Sequence, residues 1–236
     1  MPVSFVPTPI GNLGDITLRA IEVLKFCDVI ACEDTRHSSR LLQHLEIEKP
    51  LISLHEHNEV RRSAELADRA AGGEHIAVIS DAGMPAVSDP GYRILQACLE
   101  REVEYTVLPG PSAVITALVG SGFSTHAFSF DGFLPVKKGK REKMLRAAIE
   151  SDRTSLFFES PHRLPSTLEI LEQIDPQQTI CVARELSKKF ENYHRGTVEY
   201  LKAQFTKHPA KGEIVLIIPP KAEGKSAEVH SSSRRT

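Results

Sequence analysis

The sequence predicts an α/β protein made of two α/β domains. Three observations predict it. Apolar runs of strand length alternate with segments that carry a helical apolar stripe. The loops between them are short and rich in proline and glycine. A turn-rich stretch, Gly120-Ser121-Gly122-Phe123-Ser124-Thr125, breaks the pattern near mid-chain. Alternation of this kind in the first half argues for a parallel sheet with helices on both faces. The first domain is expected over residues 1–121, the second over 126–219, and a disordered tail over 220–236.

The elements follow in order. Residues 3–7 are an apolar run that ends in a Pro/Gly loop, and 17–27 carry a stripe of Leu18, Ile21, Val23 and Leu24. Thr17 is placed to cap that helix, because its hydroxyl can accept an orphan helix N–H. Residues 29–32 form a strand, followed by a helix from about residue 38 to 45 and a strand over 51–54. Residues 58–71 read as a helix closed by Gly72-Gly73. A strand over 75–80, a helix over 91–101, a strand over 104–108 and a helix over 112–119 complete the first half. The second half has strands over 127–131, 154–159, 179–184 and 213–218, with helices over 140–151, 164–174 and 198–205. No internal repeat is present.

Composition sets the class. The 236 residues are 41% hydrophobic and 25% charged, as in ordinary globular proteins. No apolar run approaches the roughly 20 residues that span a bilayer. The N-terminus has neither a basic segment nor a long apolar one, so no secretory signal is expected and the cytoplasm is the expected location. Cys27, Cys32, Cys98 and Cys181 form no CxxC pair and no zinc-finger spacing, so reduced thiols and no metal are expected. A net charge of −2 does not announce a nucleic-acid binder, although local patches matter more than the sum.

In an open parallel sheet, ligands bind where strands end and loops begin. Four such loops are unusual. Pro7-Thr8-Pro9-Ile10-Gly11-Asn12-Leu13-Gly14-Asp15 lets backbone N–H groups approach a ligand, but its glycine spacing matches neither a dinucleotide fingerprint nor a phosphate-binding P-loop. Ser80-Asp81-Ala82-Gly83-Met84-Pro85-Ala86-Val87-Ser88-Asp89-Pro90-Gly91 is long for a connection in a compact domain, small-residued, and carries a carboxylate at the strand end. Pro109-Gly110-Pro111-Ser112-Ala113 opens a helix, where free N–H donors can hold polar groups. Cys32-Glu33-Asp34-Thr35-Arg36 places acids where a generic nucleotide fold would bind ribose hydroxyls, or where a helix N-terminus simply favours them. His55-Glu56-His57-Asn58-Glu59 follows the third strand, and no third ligand completes a metal site with its two histidines.

VPTPIGNLGDITLRA, CEDTR, SDAGMPAVSDPG, LPGPSA and FFESPHR together resemble the signatures of the tetrapyrrole-methylase-like superfamily, and most closely those of its ribosomal RNA small subunit methyltransferase I family. The resemblance runs from about residue 2 to 219. It implies a cofactor, S-adenosylmethionine, folded in a cleft between the two domains, and methyl transfer to a cytidine ribose 2′-hydroxyl in the decoding centre of small-subunit ribosomal RNA. It implies that Pro9, Gly11, Asp81, Gly83, Met84, Ser88, Ser112 and Ala113 contribute to the cofactor site from the first domain. Phe158, Glu159 and Gly212-Glu213-Ile214 would contribute from the second. Relatives in the superfamily are dimers, so a homodimer is expected. The chain has Ser80-Asp81-Ala82-Gly83 where many small-molecule members carry Gly-Asp-Pro, which loosens any carry-over from those enzymes at this loop.

On that view the stretch from Glu33 to Arg36 faces the substrate. A neutral ribose hydroxyl is a poor nucleophile, so it needs positioning and a proton acceptor. Glu33 and Asp34 are the favoured acceptors and Arg36 the favoured nucleotide ligand. His55, His57, Glu159 and His162 are further candidate bases, and Arg163 and Arg184 further ligands of phosphate or carboxylate. His55, Asn58 and Arg163 are assigned to substrate. The densest basic run, Lys137 to Lys143 with Arg146, supplies Lys138, Lys140 and Arg141 as candidate contacts to RNA phosphates; Lys188-Lys189 is weaker. The alternatives are methylation of a small tetrapyrrole on the same fold and a nucleotide-binding module without catalysis. Against the latter, the loops carry acids, histidines and arginines that a passive module does not need.

Overall fold

The computed structural model describes residues 2–224 and divides the chain into two compact units, Met1–Ser112 and Ala113–Thr236. The greater part of the predicted tail, residues 225–236, lies outside the described residues.

The first unit is a five-stranded parallel sheet. Its strands are β1 (Val3–Phe5), β2 (Val29–Cys32), β3 (Leu51–Ser53), β4 (Ile76–Val78) and β5 (Tyr105–Val107), in the order β3-β2-β4-β1-β5. Helices α1 (Leu18–Phe26), α2 (Thr35–His44), α3 (Glu59–Ala71) and α4 (Tyr92–Glu100) connect them. Alternation along each strand divides the core in two. Val29, Ala31, Ile76 and Val78 pack with Leu66, Ala70, Ile94 and Cys98 of α3 and α4. Ile30, Cys32, Ala77 and Ile79 pack with Ala20, Leu24 and Leu42 of α1 and α2. Both faces are therefore covered, as a parallel sheet requires. Thr17 caps α1 as the sequence predicts, accepting Ala20 N–H at 3.1 Å. Because all five strands run the same way, the loops that follow β1 to β5 emerge at one edge.

The second unit holds β6 (Phe128–Phe133), β7 (Thr154–Glu159), β8 (Thr179–Arg184), β9 (Asn192–Thr197) and β10 (Ile214–Ile218) in the order β6-β7-β10-β8-β9. Only β6 and β7 pair in parallel; the other pairings are antiparallel. Helices α6 (Lys138–Ile149), α7 (Leu164–Ile174) and α8 (Val198–Lys207) contribute Leu145, Leu168, Leu171, Leu201 and Phe205 to a core with Phe157, Val182 and Leu216. Helix α5 (Ala113–Ser121) also belongs here, although its sequence assignment is to the first domain. Its last turn fits β9 closely: Gly120 lacks the Cβ that would lie 2.2 Å from the Tyr193 ring. The Arg195 guanidinium donates to the Ser121 carbonyl at 2.6 Å and to that of Gly120, capping orphan carbonyls of the helix end.

Three further differences have physical causes. Strand β9 escapes the sequence reading because Asn192-Tyr193-His194-Arg195-Gly196 is a polar edge strand, whose pairing with β8 supplies what its composition lacks. Helix α2 starts at Thr35, not residue 38, because Asp34 caps it. Residues 220–224, assigned to the tail, form a turn tied down by Lys221 N–H to Ser151 O at 2.8 Å and Thr179 N–H to Gly224 O at 3.2 Å. Among the described residues no helix is long and apolar enough to cross a membrane.

Candidate functional site

The loops after β1 and β4 leave adjacent strands and are joined. Thr8 N–H donates to Gly83 O at 2.9 Å and Gly83 N–H donates to Thr8 O at 3.0 Å. The Thr8 hydroxyl donates to Ser80 O at 3.0 Å, and the Ser80 hydroxyl donates to Gly83 O at 2.9 Å. Gly83 holds φ +83°, a left-handed conformation that favours glycine. The loop after β5 closes against the same strap: a Cβ on Gly110 would lie 2.8 Å from that of Pro7. Three of the four sequence-singled loops thus form one stapled floor. Pro9 and Met84 are half-buried on it, and Gly11 and Ser88 are exposed. Ala86 and Ser88 hold φ of 68° and 63°, so the β4 loop is a fixed, strained turn.

The fourth loop, after β2, joins through Asp81, whose Oδ1 accepts Asp34 N–H at 3.2 Å. The charge of Asp81 bears on both Glu33 and Asp89, and that of Glu33 on Asp89. Burial, reinforced by the charges of Asp81 and Asp34 and opposed by His55, raises the Glu33 carboxyl above its ordinary range. Burial and the charges of Glu33 and Asp81 push Asp89 up to about 6. Asp34 behaves oppositely. Its bonds with Arg36, at 3.2 and 2.9 Å from the side chain and 2.8 Å from the backbone N–H, hold it down at about 2. Asp34 is therefore a helix cap and a poor proton acceptor. Arg36 is exposed and pairs with that same cap. 

His55 and Asn58 follow β3, beside the β2 loop. Asn58 is not free for substrate. Its Oδ1 accepts His55 N–H at 3.0 Å, and its Nδ2 donates to Ser53 O at 3.1 Å while lying 3.3 Å from His55 Nε2. His57 is exposed, with its ring 5.9 Å from that of His55. Ser112 and Ala113 sit where the first unit ends and α5 begins.

In the second unit Phe158 is half-buried between Phe130 and Phe133, with ring centroids 4.8 and 5.3 Å away. Glu159 is buried, and both of its oxygens are engaged: Oε1 accepts Ser160 N–H at 2.8 Å and Oε2 accepts the Thr167 hydroxyl at 2.7 Å. Arg163 stands 3.4 Å from Glu159 and donates to the carbonyls of Leu134 and Pro135, so it ties the β6 and β7 ends together rather than awaiting a substrate. Arg141 departs most from its sequence assignment. It is 7% exposed and donates to Ser166 and Thr167 at 3.1 and 3.2 Å, because it lies on the inner face of α6. Lys137, Lys138, Lys140 and Lys143 remain exposed, while Arg146 pairs with Glu142 at 2.8 Å. Glu213 is exposed and pairs with Lys188 at 2.9 Å; Lys188 also reaches Glu185 at 3.0 Å. Gly212 makes room for Glu185, whose Oε1 would lie 2.1 Å from any Cβ there. His162 is exposed.

Sequence reasoning passed over Asp89 and Glu59. Glu59 is buried and accepts Gly91 N–H at 2.9 Å and Arg93 N–H at 3.2 Å, which anchors the start of α4 and the end of the β4 loop. The signal for Asp89 was its place in a long loop of small residues; nothing local marked Glu59.

Residues 2–202 match the family of Tetrapyrrole (Corrin/Porphyrin) Methylases. A protein of Synechocystis sp. named Ribosomal RNA small subunit methyltransferase I is 45% identical over 214 residues, covering 90% of this chain and 77% of that one. Proteins of the same name from Hydrogenobaculum sp. and Escherichia coli O157:H7 are each 44% identical, covering 92% and 94% of this chain and 95% and 78% of theirs. Among solved structures, the methyltransferase CobJ aligns with a TM-score of 0.70 at 20% identity, over 93% of this chain and 94% of its own. Diphthine synthase aligns at 0.68 and 16%, over 92% and 89%. These two likenesses concern the fold.

Proposed function

The chain belongs to the tetrapyrrole methylase family and, within it, to the ribosomal RNA small subunit methyltransferase I family, and from that premise we propose that it transfers a methyl group from S-adenosylmethionine to the ribose 2′-hydroxyl of a cytidine in the decoding centre of small-subunit ribosomal RNA. The observation that carries the reading is the Thr8–Gly83 staple with Glu33 and Asp81 at its flank.

The donor set fits the cofactor. The stapled loops offer backbone groups and small side chains, and the carboxylates beside them suit a ligand that carries positive charge. Gly83 keeps the floor low, since a Cβ there would already meet Ile10 at 3.4 Å. Pro9, Gly11, Asp81, Gly83, Met84, Ser88 and Ser112 would hold it from the first unit. Glu159 acts through its bonds to Thr167 and Ser160 by fixing the β7 end. When bound, the cofactor's sulfonium supplies the methyl as an activated electrophile. Glu33 receives the hydroxyl proton on a carboxylate oxygen, and its raised affinity for protons matches that task. Asp34 and Arg36 hold the start of α2 in place. Exposed Lys138 and Lys140 meet RNA phosphates. The same reading takes the protein to be a homodimer that acts in the cytoplasm.

The test is incubation of the protein with labelled S-adenosylmethionine and unmodified small ribosomal subunits, alongside naked small-subunit RNA, followed by nucleoside analysis. Label in 2′-O-methylcytidine is the expected result. Label in a base, or none in either substrate, overturns the reading.

A further inference from the structure

A groove runs between α6 and the edge of the second unit's sheet. Side chains alternate along a strand, so Ser129 and Asp131 of β6 lie on the face opposite Phe130, whose ring meets Phe158 at 4.8 Å. Ser129 is paired with Ser155 of β7, with the two hydroxyls 3.5 Å apart, and Phe157 follows on the same face of β7. Helix α6 lies over this face. Its Lys140, Lys143, Met144 and Ala147 recur at three- and four-residue spacing, which puts them on one stripe of the helix. Between that stripe and the two strands is an open cavity of about 480 Å³, within the range of small-molecule sites. Strand β6 ends the sheet, so one of its sides carries backbone groups that no strand pairs.

The lining selects a ligand class. Phe157, Met144, Ala147 and Pro135 make most of the surface apolar. Lys140 and Lys143 stand over it, both exposed. Among the described residues neither has an ion-pair partner, because Glu142 on the same helix is held by Arg146 at 2.8 Å and Glu150 by Lys221. An apolar slot with unneutralised cations beside it suits a flat ligand that carries an anion. Asp131 and the Ser129 hydroxyl add polar groups that suit the edge of a nucleobase, since a carboxylate accepts from an exocyclic amino group. The same groups disfavour an acyl chain. A base paired in a duplex has its faces in the stack, so only an unpaired nucleotide can enter.

We propose that this groove holds one unpaired nucleotide of single-stranded RNA, with its base against Phe157, Met144 and Ala147 and its phosphate on Lys140 and Lys143. The proposal rests on the reading of RNA as substrate, and it uses none of the residues assigned to the cofactor or to the proton. Exposed Lys137 and Lys138, just before Lys140, extend the positive charge towards neighbouring phosphates. Burial of the base adds a part of the affinity that salt does not screen, beyond what the lysines give through charge.

The experiment is methyl NMR on the full chain, labelled at the methionine and alanine methyls. The chain is titrated with the ribonucleoside 5′-monophosphates, with a short single-stranded RNA and with inorganic phosphate. The monophosphates and the RNA are expected to move the Met144 and Ala147 signals, and inorganic phosphate to leave Met144 in place. Ala147 is exposed, so Ala147→Trp fills the groove without entering the core, and Ala147→Glu repels the phosphate. Each should weaken binding of the short RNA by about ten-fold or more, with circular dichroism and affinity for S-adenosylmethionine unchanged. A Met144 signal unmoved by every monophosphate and by the RNA overturns the proposal. So does an equal response to inorganic phosphate, or an unchanged RNA affinity in both folded variants. Methyl transfer by the wild type is assayed separately. Transfer with Met144 unmoved removes the groove and keeps the reaction; a moved Met144 without transfer keeps the groove and removes the reaction.

Discussion

Thr8 and Gly83 exchange both of their backbone hydrogen bonds, at 2.9 and 3.0 Å, across 75 positions of sequence. This single bridge turns two separate loops into one surface. It exists because β1 and β4 are neighbours in the sheet, and because glycine tolerates φ +83° where the bridge needs it.

Gly83→Ala should therefore keep the fold and loosen the staple. The left-handed conformation costs a residue with a Cβ about 1–2 kcal/mol. Thermal denaturation should show a loss of that order, and calorimetry should show at least a several-fold weaker affinity for S-adenosylmethionine. Unchanged affinity would remove the staple from the cofactor site.

The two acids of the β2 loop should separate on mutation. Glu33→Gln is expected to lower turnover by about 10²–10⁴-fold at saturating cofactor and RNA, the range of a lost general base. Asp34→Asn keeps a capping oxygen and should stay within a few-fold of wild type in the same assay. Equal losses in both would mean that the loop, and not a proton acceptor, is what matters.

Asp89 gives stability a pH dependence of predictable sign. Its folded value, about 6, lies above the ordinary carboxylate value of 3.8, so the folded chain binds the proton more tightly than the unfolded one. The resulting stability is present below pH 4 and lost as pH rises towards 6 and beyond. Asp89→Asn should accordingly raise the melting temperature relative to wild type at pH 8 and not at pH 4. Parallel melting curves at all pH values would contradict this.

The basic helix α6 should show two different behaviours. Lys138→Glu with Lys140→Glu should weaken RNA binding and reduce the slope of log affinity against log salt by about 1.4–1.8, as expected for two lost phosphate contacts. Cofactor affinity should not change. Arg141→Glu should instead unfold the second unit, because it would bury a carboxylate beside Thr167 and Glu159. Circular dichroism distinguishes the two outcomes.

Gly120→Ala should destabilise the second unit by roughly 1–3 kcal/mol, since its new methyl meets the Tyr193 ring. Adding Tyr193→Ala should recover part of that loss in a double-mutant cycle. Simple additivity of the two changes would show that α5 and β9 are not coupled there.

The sequence by itself determined the α/β class, the apolar strands and most helices, because these follow from local periodicity and capping. Thr17 is legible as a cap from one hydroxyl before one stripe. The sequence also marked the strand-end loops, since glycine and proline announce turns locally. Tertiary structure alone decided the rest. Arg141 reads as one more positive charge beside Lys140, yet the turn of α6 places it inside with Ser166 and Thr167. Helix α5 lies just after the last loop of the first unit but packs with β9, because Gly120 and Tyr193 fit together across more than seventy residues. Asp34 and Glu33 are adjacent acids in sequence, and only the cap of α2 and the burial beside Asp81 give them opposite proton affinities. Local pattern fixes which residues form an element; which side chain is buried, paired or free depends on neighbours that only the folded chain brings near.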